Sequence, residues 1–263
     1  MVKARVVGYA TPPPRTVVTD DLSGGAFEAP TPDVWFADVE ITNVDFSTVS
    51  VVHLSSSNSQ FNRCKFDGIK VDSGRLAGYP GSEFSDCTFS NTDLRKVIPG
   101  HATFLRCSFA GARIYEWFTH CSQFVDCVFD EAEIVGTNFS GKPLECFGLF
   151  DSNRRRRNAF TGNDFRTATL VDTSFVRGID LRAQQLPQTD DYVLVLDARK
   201  RIAAAKKSLR QVADRDARRL LLDELSILEG DAHDGQRDLF VTRADITLEA
   251  ESAAKFWNAL GID

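Results

Sequence analysis

The chain has 263 residues, with 31 Lys and Arg against 37 Asp and Glu, and a net charge of −6. Twenty Phe stand beside four Tyr, three Trp and one Met, a bias that an ordinary mixed core does not need. No apolar run approaches the ~20 residues that span a bilayer, and the first eight residues lack a signal-peptide hydrophobic region. The expectation is a cytoplasmic protein without a membrane segment.

Residues 1–33 carry little repetition and contain Pro12-Pro13-Pro14 and Gly24-Gly25. Arg5 to Tyr9 is a candidate strand. A solenoid needs covered ends, so this segment is expected to be an N-terminal cap. From Val34 a fixed period takes over. Four stretches are nearly identical: Phe61-Asn-Arg-Cys-Lys-Phe66, Phe84-Ser-Asp-Cys-Thr-Phe89, Phe104-Leu-Arg-Cys-Ser-Phe109 and Phe124-Val-Asp-Cys-Val-Phe129. The last three start 20 residues apart, with their two Phe five apart. Large apolar centres continue on the same register through Leu94, Ile114, Ile134 and Phe139, and again through Phe160, Phe165, Leu170 and Phe175. Two residues before many centres sits a small one, such as Cys87, Thr92, Ala112, Ala132 or Thr173.

Neither the helical period of 3.6 nor the strand period of 2 generates this pattern. Five residues taken four times describe a chain that turns four corners per coil. The large centre and the small residue two before it point inward, and the other three positions face solvent. Coils then stack at the interstrand spacing of ~4.8 Å, so residues 20 apart become neighbours. Cys64, Cys87, Cys107 and Cys127 fall in one inward column, with Cys146 as a candidate continuation. In a reducing compartment these are core fillers rather than disulfides or metal ligands. His101 and Cys121 fall side by side on the outside, two groups where a zinc site wants four.

Cys87-Thr-Phe89-Ser-Asn, Thr92-Asp-Leu94-Arg-Lys, Ala112-Arg-Ile114-Tyr-Glu, Ala132-Glu-Ile134-Val-Gly and Ala168-Thr-Leu170-Val-Asp resemble the pentapeptide-repeat family, whose consensus is Ala-(Asp/Asn)-Leu-x-x. The resemblance covers roughly residues 34–187. It implies a mainly-β chain built on a right-handed quadrilateral β-helix. Its best understood bacterial members are quinolone-resistance proteins that bind DNA gyrase in place of duplex DNA and pair through their C-terminal ends. It therefore implies a DNA-mimicking topoisomerase partner and a homodimer through the C-terminal region.

Two register breaks interrupt the coils. Asp72 to Glu83 adds three residues, and Glu145 to Ala159 contains Arg154, Arg155, Arg156 and Arg157. Both are expected to be surface loops, where recognition is common. After Pro187 the pattern turns helical. Asp197 is the expected cap of one helix. A second is expected from about Asp214 to Glu229, ended by Gly230, with an apolar stripe of Leu221, Leu222, Leu225 and Leu228. Thr247 is the expected cap of a third. Residues 188–263 are thus expected to form an α-helical module, and its leucine stripe is a candidate dimer or partner helix.

Catalytic signatures are missing: there is no Gly-rich phosphate loop, Gly-x-Ser-x-Gly or His-Glu-x-x-His. A rod packed with Phe leaves no interior pocket, so no enzyme and no cofactor are expected. Function falls to the outward residues. Between Pro30 and Phe150, 15 acids face 9 bases. Asp86, Asp93, Asp126, Asp130, Glu131 and Glu133 are the candidate acidic contacts of a DNA mimic, which would repel nucleic acid itself. On the fourth side of the coil, Val97-Ile98-Pro99 and Trp117-Phe118-Thr119 break the consensus. Trp117 is too large for a small slot, so Ile98, Tyr115, Trp117 and Phe118 are candidate contacts of a protein-interaction scaffold with a different partner.

Overall fold

The computed structural model describes residues 15–144, 157–233 and 235–262. The candidate strand at Arg5 to Tyr9, Cys146 and Arg154 to Arg156 lie outside the described residues. Peptide groups of successive coils bond to one another, because a coil has no ladder within itself beyond turn bonds such as Ala112 N to Phe109 O and Ala132 N to Phe129 O. Every strand pair of the rod is parallel.

Four faces result. The first is a seven-stranded sheet running from Leu22–Ser23 through Gln60–Asn62 and Thr103–Leu105 to Phe160–Thr161. The second is a ladder of single bridges through Ala26, Asp45, Lys65, Thr88, Ser108, Val128, Asp164 and Gln185. The third stacks Arg113–Tyr115, Glu133–Val135 and Thr169–Val171. The fourth stacks Arg15–Val18, Asp33–Ala37, Ser50–Ser57, Lys70–Ala77 and Val97–Gly100. The ladder also measures the register breaks. Its steps are 20 residues from Thr88 to Ser108 to Val128, 23 from Lys65 to Thr88, and 36 from Val128 to Asp164. Arg15–Val18 and Leu22–Ser23 already pair with the coil that follows. Residues 15–33 are therefore part of the rod rather than a separate cap.

Inside, like stacks on like. Phe46, Phe66, Phe89, Phe109, Phe129 and Phe165 form one column, with neighbouring ring centroids 4.4–5.0 Å apart and planes within 7°. Cys64, Cys87, Cys107 and Cys127 form the small-slot column beside it. Each thiol donates to the carbonyl of the apolar centre one coil back, at Ile41, Phe61, Phe84 and Phe104. Thr92 and Thr173 do the same toward Phe66 and Ile134. Burial pushes the Cys107 thiol well up, as expected for a protonated core filler. The next slot belongs to Asn163. The Asn163 amide accepts from Cys127 N and donates to Phe124 O, both at 3.0 Å.

Trp117 is fully buried, so it is no surface contact. It occupies the small slot because the order of sizes is inverted in that coil. Thr119, also buried, stands where other coils place Phe, and its missing volume receives the indole. The ring packs on Phe104, Phe109 and Phe124, and Nε1 donates to Val97 O at 2.6 Å. Leu54 and Ser56 show the same inversion, both buried.

The C-terminal module packs α1 (Ala198–Leu209), α2 (Arg215–His233) and α3 (Ala250–Ala259) on a two-stranded antiparallel sheet of Tyr192–Val195 and Leu239–Thr242. That sheet escaped the sequence reading. Gly230 does not end α2, which runs one turn further to His233. Asp214 caps α2, accepting from the amides of Asp216 and Ala217. Asp197 precedes α1 without a side-chain cap bond, and its carboxylate meets Arg237 and Arg182 instead. Glu249, not Thr247, precedes α3.

The module closes the end of the rod. Phe240 sets its ring edge-on to Phe175 at 5.8 Å. The buried Gln236 amide acts as one more rung, accepting from Gly178 N and Ile179 N and donating to Ile179 O. Asp238, with its side chain 2% exposed, takes two bonds from Arg182 and one from Asp197 N. Burial pushes its pKa up, but Arg182 and the Asp197 amide outweigh that and hold it below the usual carboxylate range.

Two outcomes follow from this packing. Trp117→Thr should lose about 3 kcal/mol as a large-to-small core change, and Thr119→Phe about 1–3 kcal/mol by overpacking. The double variant, which restores the common order, should recover part of both losses in chemical denaturation. Asp238→Asn should cost about 2 kcal/mol at pH 7, where charged hydrogen bonds count most. Because the folded pKa is depressed, that stabilisation is present above the unfolded value and lost as pH falls through the folded one. The gap in thermal midpoint between wild type and Asp238→Asn should therefore close below about pH 4.

Candidate interaction surfaces

Corners of the coil demand a left-handed residue, and the sequence supplies Gly24, Asn43, Arg63, Asp86, Arg106, Asp126 and Gly162 in one vertical row. Stacking then places opposite charges next to each other. Arg106 grips Asp86 with two bonds of 2.7 Å, and Arg63 bonds Asn43 at 2.9 Å. Hydrogen bonds from Arg106 hold the Asp86 carboxyl below its ordinary range. Asp126 ends the row over Gly162, its Oδ1 lying where a Cβ of residue 162 would be.

The third face repeats the device with Asp93, Arg113 and Glu133 in one column. Asp93 is held by Arg95 at 2.7 Å and Arg113 at 2.9 Å, and the Arg95 hydrogen bond lowers its pKa. Glu133 accepts from the Tyr115 hydroxyl at 2.6 Å, which raises the phenol pKa, and Arg95 lies over the Tyr115 ring. Asp130 accepts from the Thr167 hydroxyl. Of the six candidate acids, Asp126 and Glu131 keep side chains without an ion pair or side-chain hydrogen bond among the described residues. The acids are thus dispersed among cations, not gathered into one continuous negative face.

The fourth face differs in kind. Its central outward column is Trp35, Ser55, Arg75, Ile98, Phe118, Asn138 and Ser174, with no acid in it. Ile98 is 43% exposed and Phe118 64%. Across the corner at Glu116 and Gly136, Tyr115 pairs with Val135, and Val135 with Val171. Ile98, Phe118, Tyr115, Val135 and Val171 therefore form an apolar surface wrapped around one edge of the rod. Val135 and Val171 were missed in the sequence: the register places them outward, but their closeness to Phe118 depends on how the chain turns the corner at Glu116 and Gly136.

The expected leucine contacts of α2 are not available. Leu221, Leu225 and Leu228 are buried against the rest of the module, and Leu222 packs partly against the same core. The exposed apolar side chains of α2 are Leu220 and Ile227. Arg157 is exposed beside the second loop. His101 stacks edge-on to Tyr79, and no cluster of three or more metal-ligating side chains occurs among the described residues. A void beside Phe36, Leu54 and Phe61 measures about 10 Å³, room for one water at most. No helix among the described residues is long and apolar enough to cross a membrane.

No protein-family model and no curated protein matches the chain. Among solved structures, it is similar to full-length QnrB1, a plasmid-mediated fluoroquinolone resistance protein. Identity is 15%, covering 66% of this chain and 92% of that one, with a TM-score of 0.35. It is also similar to the pentapeptide-repeat protein Rfr23 from the cyanobacterium Cyanothece 51142, at 10% identity, covering 65% and 90%, with a TM-score of 0.26. Those scores are low, and the assignment stands on the chain's own geometry: inward residues every five positions, left-handed corners between them, and parallel pairing at 20-residue steps. That geometry is a four-sided parallel β-helix, the fold that the pentapeptide-repeat resemblance implies.

Proposed function

We propose that this chain is a non-enzymatic, cytoplasmic binding protein whose rod presents the edge formed by Ile98, Phe118, Tyr115, Val135 and Val171 to a protein partner. The observation that carries this is the exposed apolar pair Ile98 and Phe118, in a central column of outward residues that contains no acid. Clustered exposed apolar side chains mark contact surfaces. Neither side chain is needed by the core, which closes through Val97 and Trp117 beneath them. The stacked, unbridged thiols suit a reducing compartment.

A DNA-mimicking contact with gyrase asks for a long row of unpaired acids. The rod is acidic in sum, which favours that partner. Its Asp86 and Asp93, however, are held by Arg106, Arg95 and Arg113. The electrostatics therefore favour the interaction scaffold. A C-terminal homodimer of end-on rods is disfavoured in the same way, since Phe240 and Gln236 already cover the last coil.

Phe118→Glu with Ile98→Glu should change stability by no more than about 0.5 kcal/mol, as exposed substitutions do. Photo-crosslinking from position 138, next to Phe118 on the adjacent coil, should trap a partner that the double variant fails to retain. Purified gyrase tests the competing assignment directly. Inhibition or protection of supercoiling at micromolar protein, unaffected by the double variant and abolished by Asp126→Lys with Glu131→Lys, would replace the scaffold with the mimic.

A further inference from the structure

The C-terminal module is electrically split, although the chain as a whole is acidic. Residues 197–219 hold nine Lys and Arg against three Asp, while residues 220–263 hold three against ten acids. The basic part is α1, the turn after it and the first turn of α2. Several of its cations have structural work. Arg199 bonds the carbonyls of Ala232 and His233 at the end of α2, and Arg201 those of Leu260 and Gly261 at the end of α3. Lys206 pairs with Glu229, Arg218 bonds Val212 O, and Arg219 faces Asp223.

Lys200, Lys207, Arg210 and Arg215 remain. All four are exposed, and none has a side-chain hydrogen bond or ion pair among the described residues. Because α1 buries Ala198, Ile202, Ala205 and Leu209, the 3.6-residue period brings Lys200, Ala203, Ala204 and Lys207 to its outer face. Arg210 and Arg215 follow at the tip of the helical hairpin. The nearby acids are Asp214, whose carboxylate is occupied in capping α2, and Asp216.

We propose that this face binds the phosphate backbone of double-helical nucleic acid. At ~1.5 Å rise per residue, Lys200 lies ~10 Å from Lys207 and ~15 Å from Arg210, bracketing the ~12 Å width of a major groove. Cations at the two ends of the face thus reach phosphates on both sides. Ala203 and Ala204 between them leave room for close approach. No exposed side chain of α1 outside its cations exceeds Gln in size, and none is aromatic or a large aliphatic. That lacks the wedge an interfacial membrane helix uses, the anchor of a protein interface and the stacking platform of single-strand binders. What it offers is charge, which a duplex backbone matches. The expectation that this protein avoids nucleic acid rests on the charge of the rod and of the whole chain, and the basic face of the module departs from that balance. The proposal is independent of the apolar edge of the rod.

Fluorescence anisotropy of the full chain with a ~20-bp DNA duplex and an RNA duplex tests it, each over roughly 50–200 mM salt. Four phosphate contacts predict sequence-independent binding whose log affinity falls against log salt with a slope of about −3 to −4. Lys200→Gln, Lys207→Gln and Arg210→Gln together should remove about three units of that slope and weaken binding more than tenfold. An unchanged thermal midpoint in the triple variant would show that folding is not the cause; if the midpoint falls, the three single variants, each lowering the slope by about one, replace it. The two duplexes distinguish DNA from RNA, and binding of either with this slope supports the proposal. Absence of binding at the lowest salt, a slope untouched by the substitutions, or tighter binding to anionic vesicles or polyglutamate would overturn it.

Discussion

Hydrogen bonding between coils is the constraint on which the rest depends. A coil of this rod has no internal ladder, so its peptide groups find partners one level up and one level down. That fixes the vertical repeat near 4.8 Å and forces each side chain to sit on its counterpart 20 residues away. Phenylalanine suits this spacing because its ring stacks offset at the same distance. The observed ring separations of 4.4–5.0 Å along the Phe46-to-Phe165 column show ladder and rings sharing one repeat. Cysteine and threonine suit the neighbouring slot for a related reason: each is small, and its S–H or O–H reaches the carbonyl one coil back.

The same stacking governs the surface. A residue placed at a corner acquires the corner residues above and below as neighbours, whatever its charge. Alternating Arg and Asp along the Arg63–Asp126 row turns that obligation into attraction. Each exposed pair contributes little, since surface ion pairs are worth at most about 1 kcal/mol. Their collective effect is on recognition: the rod carries many acids and yet shows no long unneutralised row. The places outside the charge alternation are the apolar edge at Ile98 and Phe118 and the basic face of α1.

Ends are the weak point of any solenoid, because the last coil has unpaired peptide groups and half-covered rings. Here Gln236 supplies the missing rung, Phe240 the missing ring, and Asp238 with Arg182 a clamp at 2.8 Å. The module, which has its own apolar core, is for that reason part of the rod's stability as well.

Sequence by itself determined the coil, its register, the inward Phe and Cys columns, the position of both insertions and the existence of three helices. A period of five repeated over many coils admits one way of burying its apolar residues, and each repeat reinforces the last. It did not determine the fate of Trp117, which depended on Thr119 vacating volume two positions away. Nor did it show that Leu221, Leu225 and Leu228 are consumed by the module's own core, that Asp86 and Asp93 are neutralised by Arg106 and Arg113, each 20 positions further along the chain, or that Asn163 follows Cys127. Each of those is a question of which side chain lies on the adjacent coil or helix. Stacking and docking decide that, and a linear pattern shows it only after the register has been closed in three dimensions.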